Sequence, residues 1–170
     1  MTKTTLYLVR HGETFDNANR IMQGQTQGKL NAVGIQQAEE VARQIRDLHI
    51  QTVVSSDLRR AIETAEIIAK PYGFDIHTTP LLRERDWGSF TGRYIPDLKD
   101  EKWPSDIETL DQLQKRACLF MDYVRENYAG QKVLAVGHGI INKAIQSVFF
   151  CKEMKDVKPM ANAEIRILEL

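Results

Sequence analysis

The sequence has 170 residues, 42% of them hydrophobic, with 23 lysines and arginines against 23 aspartates and glutamates. That length fits one domain, spanning 1-170, which buries about 70% of its unfolded surface and needs no disulfide or metal staple. Neither half of the chain departs from neutrality by more than one charge, which excludes the basic stripe of a nucleic-acid binder. No apolar run reaches the roughly 20 residues that a bilayer requires.

In chain order, Met1-Thr2-Lys3-Thr4 leads into the apolar run Leu6-Tyr7-Leu8-Val9, too short for a signal peptide and suited to a buried strand. After Gly34, the residues Ile35, Ala38, Ala42, Ile45 and Leu48 recur at helical spacing. Thr52-Val53-Val54-Ser55 predicts a second strand. Behind Ser56 and Asp57, read as capping residues, a helix carries Leu58, Ala61, Ile62, Ala65, Ile68 and Ala69. Ile76-His77-Thr78-Thr79 is a third strand. The stretch 85–108 holds Gly88, Gly92, Pro96 and Pro104 without a period and reads as a long loop, of the kind that is functional or mobile. A third helix displays Leu110, Leu113, Ala117, Met121, Val124 and Tyr128 and ends at Gly130. Val133-Leu134-Ala135-Val136 is a further buried strand, followed just after Gly139 by a helix with Ile141, Ala144, Ile145 and Val148. Ile165-Arg166-Ile167-Leu168 closes the sheet at an edge. Strand–helix alternation of this kind predicts an α/β fold with a mostly parallel sheet covered on both faces.

Two apolar strands each end at a histidine beside glycine. Arg10-His11-Gly12-Glu13 follows the first, and Gly137-His138-Gly139 follows another. In open α/β sheets, ligands sit at the carboxyl ends of strands, so both histidines fall on that rim. Flanking glycines are read as leaving the His138 imidazole uncrowded and the next helix N-terminus open to an anion. Either histidine alone is equally a loop residue satisfied by a local partner. Arg59 and Arg60 stand in the first turn of a helix, where basic groups oppose the dipole and invite an anion; a solvated pair, with Arg59 outward, is the plainer reading. Arg83-Glu84-Arg85-Asp86 is either a surface ion cluster or a general acid beside a phosphate site. The two cysteines, Cys118 and Cys151, are too few for a disulfide scaffold, lack metal-ligand spacing, and are expected to pack in or near the core. Core packing is also expected for Tyr123, Phe149 and Phe150.

Arg10-His11-Gly12-Glu13-Thr14 with Asn17, Gln23-Gly24-Gln25-Thr26, Gly34, Gln37-Ala38, Ser55-Ser56-Asp57-Leu58-Arg59-Arg60-Ala61 with Thr64-Ala65, Arg83-Glu84, Gly88, Gly92, Glu108-Thr109-Leu110, Gly137-His138-Gly139 and Asn162 follow one another in a recognisable order. In these motifs the sequence resembles the histidine phosphatase (phosphoglycerate mutase-like) superfamily across nearly its whole length. The resemblance implies a three-layer α/β/α sandwich. It implies that His11 is a nucleophile that becomes transiently phosphorylated, its imidazole held in one tautomer by a backbone acceptor. Arg10, Arg60 and His138 match the groups that grip the transferring phosphoryl oxygens, Asn17 adds a neutral donor, and Gln23, Gly24 and Gly139 border the substrate. Glu84 matches the general acid that protonates the leaving oxygen, a task for a carboxyl with a pKa above the ~4.3 of a free glutamate. Glu13 is a rival carboxylate that the match makes a structural partner. No metal or other cofactor is implied.

Gln27-Gly28-Lys29-Leu30-Asn31 and the short segment between Gly92 and Glu108 depart from the family pattern, at the substrate rim. They suggest an open pocket in which Lys29, Arg83, Arg85 and Arg93 are candidates for a second anionic group. The expected function is hydrolysis of a small phosphorylated substrate through phosphohistidine. The rivals are a phosphoglycerate mutase, an alpha-ribazole-type phosphatase, a protein phosphohistidine phosphatase, and a silent phosphate-binding module that would be expected to lack one of His11, Arg60, Glu84 or His138. A metal enzyme built on His11, Glu13 and His138 fits worst, because the arginines would repel the cation. The protein is expected to be cytoplasmic, a monomer or homodimer, without nucleic-acid or membrane partners.

Overall fold

Runs of valine, leucine and isoleucine at 6–9, 52–55 and 133–136 can bury both faces only inside a sheet covered on both sides. A computed structural model describes residues 3–170, so the reading of Met1 and Thr2 falls outside the described residues. Among these, β1 (Thr5–Arg10), β2 (Thr52–Ser56), β3 (Ile76–Thr79), β4 (Lys132–Gly137) and β5 (Ile165–Glu169) form one sheet in the order β3-β2-β4-β1-β5. The first four are parallel, and β5 closes the β1 edge antiparallel.

Alternation along the strands divides the core in two. Leu6, Leu8, Val54, Val133 and Ala135 face α4 (Leu110–Asn127) and α5 (Gly139–Phe149). Tyr7, Val9, Val53, Leu134 and Val136 face α2 (Ala32–Gln44) and α3 (Arg59–Ala69). The result is the three-layer α/β/α sandwich expected from the sequence. Each wholly buried leucine or isoleucine contributes roughly 1.5–3 kcal/mol.

Local departures have local causes. A single turn, α1 (Phe15–Ala18), escapes the sequence reading because it carries no apolar stripe; a capping box between Thr14 and Asn17 makes it. The next helix begins at Ala32 rather than after Gly34, because Asn31 accepts from the Gly34 N–H as N-cap, and it ends at Gln44, before Leu48. Ser56 and Asp57 do not cap α3. The N-cap is Leu58, without a side-chain bond, and Gln27 accepts instead from the Arg59 N–H through its side chain and from the Arg60 N–H through its carbonyl. The stretch 85–108 is not structureless. It contains 3-10 turns at Gly88–Phe90 and Ile95–Leu98 and a small core of Phe90, Leu98 and Ile107. Cys118 and Cys151, expected to pack, are both exposed. Tyr123 and Phe149 do pack against the core, whereas Phe150 is half exposed. No helix of the described residues is long and apolar enough to cross a membrane.

Candidate active site

Because β1 and β4 lie side by side with Arg10 opposite Gly137, the residues that follow, His11 and His138, leave neighbouring strand ends. From there the chain turns to opposite faces of the sheet, toward α2 after β1 and into α5 after β4. That divergence opens the crevice at which α/β sheets bind ligands. The two imidazoles meet edge to face, with ring centroids 5.0 Å apart. β2 ends beside β4 at Ser56, and α3 carries Arg60 back toward the crevice. Thr79 ends β3, and the turn Pro80–Leu82 brings Glu84 in from that side. Four parallel strands thus deliver five side chains to one rim.

Close backbone contact fixes the nucleophile candidate. Gly12 lies against Gly34 so tightly that a Cβ on either would overlap backbone atoms of the other loop. The Gly12 N–H donates to Thr64 Oγ1 (3.1 Å), and the His11 Nδ1–H donates to the Gly12 carbonyl (2.7 Å). A carbonyl only accepts, so the proton sits on Nδ1 and the lone pair on Nε2. Burial, then the charge of Arg60, then that of Arg10, holds the His11 pKa well below its ordinary value, against a smaller upward pull from Gly12. The ring is therefore neutral and nucleophilic at neutral pH.

His138, expected to be uncrowded, is wholly buried behind His11. Its Nε2 shares a 2.8 Å hydrogen bond with Ser56 Oγ, which also accepts from the Leu58 N–H. Nε2 is the one acceptor among the described residues within reach of the Ser56 hydroxyl proton, so Ser56 donates to Nε2 and the proton of the neutral ring lies on Nδ1. Burial first, and then Arg60, His11, Arg10 and Arg116, depresses its pKa well below the usual histidine value.

Arg60 is buried. It donates to the carbonyls of Thr26 and Gly24 (2.7 Å to Gly24), and its pKa falls to about 10 through burial. Arg10 donates to the Met160 carbonyl at 2.7 Å. Arg10 Nε, Arg60 Nε and His138 Nδ1 are buried without a partner among the described residues. Unpartnered buried donors cost about 1–3 kcal/mol each, and an anion with several oxygens offsets that cost.

Glu84 occupies the α5 N-terminus that the sequence reading left open to an anion. Its Oε1 accepts from the N–H groups of Arg85 (2.8 Å), Ile140 and Ile141 (both 3.1 Å), while Oε2 shares only the Ile140 N–H. Oε2 is thus the oxygen with room for a proton. Arg116, on α4, holds the segment in place by donating to the carbonyls of Leu81, Arg83 and Glu84 while pairing in bidentate fashion with Glu108.

Eight of the nine site residues expected from sequence, Arg10, His11, Asn17, Gln23, Gly24, Arg60, Glu84 and Gly139, line a cavity of about 260 Å³. The ninth, His138, supports it from behind. Asn17 lines this space with its Oδ1 accepting from Thr14 N–H and Asn162 Nδ2, and its amide N–H₂ has no partner among the described residues. Glu13 does not line the cavity; it accepts from Asn31 Nδ2 (2.7 Å) and braces the loop. The basic rim expected from sequence is largely committed elsewhere. Arg83 pairs with Asp57, Arg93 with Glu101, and Arg85 stacks on Trp87 and Trp103 while donating to the Glu108 carbonyl. Lys29 is not among the lining residues. The basic residue that does line the cavity beside the two arginines is Lys143, which sequence reasoning missed, although it is the sole charge in the apolar helix α5. Ser56, Gln27 and Arg116 were also missed in these roles, since each acts on residues distant in sequence and has no local signal.

Comparison with known proteins gives consistent results. The family model described as histidine phosphatase superfamily (branch 1) matches residues 6–170. A relative from Yersinia pestis (strain Pestoides F), named "Probable phosphoglycerate mutase GpmB", is 38% identical over 79% of this chain and 69% of its own length. The solved structure of Bacillus stearothermophilus YhfR superposes with a TM-score of 0.88 at 29% identity, covering 96% of this chain and 90% of that one. A phosphoserine phosphatase from Entamoeba histolytica, solved in complex with 3-phosphoglyceric acid, gives 0.85 at 28% identity, covering 96% and 89%.

Proposed function

Since the chain belongs to branch 1 of the histidine phosphatase superfamily, and so to a family of phosphatases and mutases, we propose that it hydrolyses a small phosphomonoester through a phosphohistidine on His11. The observation that carries this reading is the hydrogen bond from His11 Nδ1–H to the Gly12 carbonyl, which leaves Nε2 as a buried nucleophile in a cavity that it shares with Arg10, Arg60 and Glu84. In the first step the Nε2 lone pair forms a bond to phosphorus, and the phosphorus–oxygen bond to the leaving alcohol breaks. The proton on Glu84 Oε2 goes to that oxygen. In the second step Glu84 takes a proton from water, the water oxygen attacks phosphorus, and the phosphorus–nitrogen bond breaks to release phosphate and restore neutral His11. Arg10, Arg60 and the Nδ1–H of His138 balance the charge on the phosphoryl oxygens, and Asn17 adds a neutral donor. Gln23, Gly24 and Gly139 shape the substrate side. None of these steps calls on a metal.

A second reading, phosphoglycerate mutase, is favoured by the name of the Yersinia relative. Hydrolysis is preferred because the 85–108 segment folds around its own small core and brings only Trp87 and Ile95 to the cavity, leaving the half-buried Glu84 within reach of water. The test is hydrolysis of p-nitrophenyl phosphate with EDTA present. Phosphate release that survives EDTA and disappears in His11→Ala supports the proposal. Exchange between phosphoglycerate isomers without phosphate release would replace it with the mutase.

A further inference from the structure

Lys143 stands out in the cavity wall. It is half-buried, it is the only charged residue of α5, and no ion pair or hydrogen bond engages its ammonium among the described residues. The same cavity is lined by Ile21, Ile95, Ile140, Pro159 and Met160. Lys143 shares the cavity lining with Arg10 and Arg60 and has no acid of its own, so the lining carries a surplus of positive charge. Such an arrangement is retained to advantage if a ligand supplies the missing negative charge.

The charges within the lining set the size of that demand. Arg10, Arg60 and Lys143 are cations, Glu84 is the one carboxyl, and His11, like His138 behind it, is neutral for the reasons given above. Asp16 and Glu164 act on the arginines from outside the lining. A phosphomonoester dianion balances the two arginines. When Glu84 carries the proton needed by the leaving group, the charge of Lys143 is left over. Position agrees with this division. A Cβ on Gly139 would come within 3.4 Å of Arg10 Cζ, so Gly139 marks the phosphoryl end, and Lys143 lies one helical turn, about 6 Å, further along the same face.

We propose that Lys143 forms a second-anion subsite, so that the substrate is a phosphomonoester whose leaving alcohol carries a carboxylate or similar anion about one helical turn from the phosphorus, on a short body without cationic groups. This rests on the proposed phosphatase reading for where the phosphoryl group sits. Binding is measured separately from turnover, so that the two can fail independently. In the full-length His11→Ala protein, calorimetry compares 3-phosphoglycerate with glycerol 3-phosphate, which differ at one end by carboxylate against hydroxymethyl. The expected result is at least tenfold tighter binding of 3-phosphoglycerate, reduced to near parity by adding Lys143→Met and recovered by Lys143→Arg. Equal binding of the two ligands by His11→Ala, or a preference that survives Lys143→Met, overturns the subsite. Hydrolysis by the wild-type chain, measured in parallel, decides the phosphatase reading without bearing on this comparison.

Discussion

Replacing Arg116 by methionine removes a charge and five N–H donors while keeping a side chain of similar length. In the native protein this guanidinium pairs with Glu108, the two side chains being 16% and 13% exposed, and bonds the carbonyls of Leu81, Arg83 and Glu84. Breaking a buried pair costs about 3–5 kcal/mol, since the remaining charge keeps its desolvation penalty. Partial exposure, and the surviving donation from Asp86 N–H to Glu108 (3.1 Å), place Arg116→Met near the low end, about 3 kcal/mol. For a chain of this size that lowers the melting temperature by about 6–12 °C. Urea unfolding followed by the fluorescence of Trp87 and Trp103 measures the loss, and Glu108→Gln in the Arg116→Met background recovers part of it by removing the stranded charge. Kinetics add a second readout, since the carbonyls released belong to the segment that aims Glu84. A phosphomonoester of a poor leaving group, which needs the acid, should slow at least tenfold more than p-nitrophenyl phosphate, which does not. A stability loss below about 1 kcal/mol, or equal slowing of both esters in folded protein, would refute this view of Arg116.

Stability should fall as the pH drops from about 6.5 toward 5. His11 and His138 have folded-state pKa values held below their unfolded ones, so in that window the unfolded chain binds protons that the native chain does not, by up to about 1.4 kcal/mol per pH unit for each ring. Urea melts at pH 7, 6 and 5.5 check this, and a flat profile contradicts it. Gly137→Ala should destabilise by about 1–3 kcal/mol, because its Cβ falls on the Asn142 Oδ1 whose amide N–H₂ holds the Val9 carbonyl. Thermal melts settle that case, with an unchanged midpoint as the adverse result. Arg60→Met should lower kcat/KM on p-nitrophenyl phosphate by about 10²–10³. Full activity in this variant would remove Arg60 from the phosphoryl site.

What could be read from the sequence was what repeats or what ends. The strands at 6–9, 52–55, 76–79, 133–136 and 165–168 announced themselves because β-branched and apolar runs on a doubly covered sheet admit few other interpretations. Arg10, His11 and His138 were visible because a polar residue directly after such a run must lie at the rim. Arg60 and Glu84 gained weight only through the family resemblance, since an arginine in a first helical turn or a glutamate between arginines is by itself an ordinary surface feature. The partnerships stayed hidden. Ser56 was taken for a helix cap, and nothing local distinguishes a serine that caps from one that reaches across the sheet to His138. Glu84 was expected among arginines, yet two of the three backbone amides that bond its carboxylate lie 56 and 57 positions away. The crowding of His138 was also misjudged, because flanking glycines describe the backbone and not the ring 5.0 Å away on the neighbouring strand.

Covalent phosphorylation of His11 is most directly tested by rapid acid-free quench of the wild-type protein during turnover of a radiolabelled phosphomonoester, followed by mapping of the labelled peptide. Base-stable, acid-labile phosphate on the peptide containing His11, missing in His11→Ala, is the predicted result. Turnover with no protein-bound phosphate, or label on another residue, would contradict the phosphohistidine mechanism.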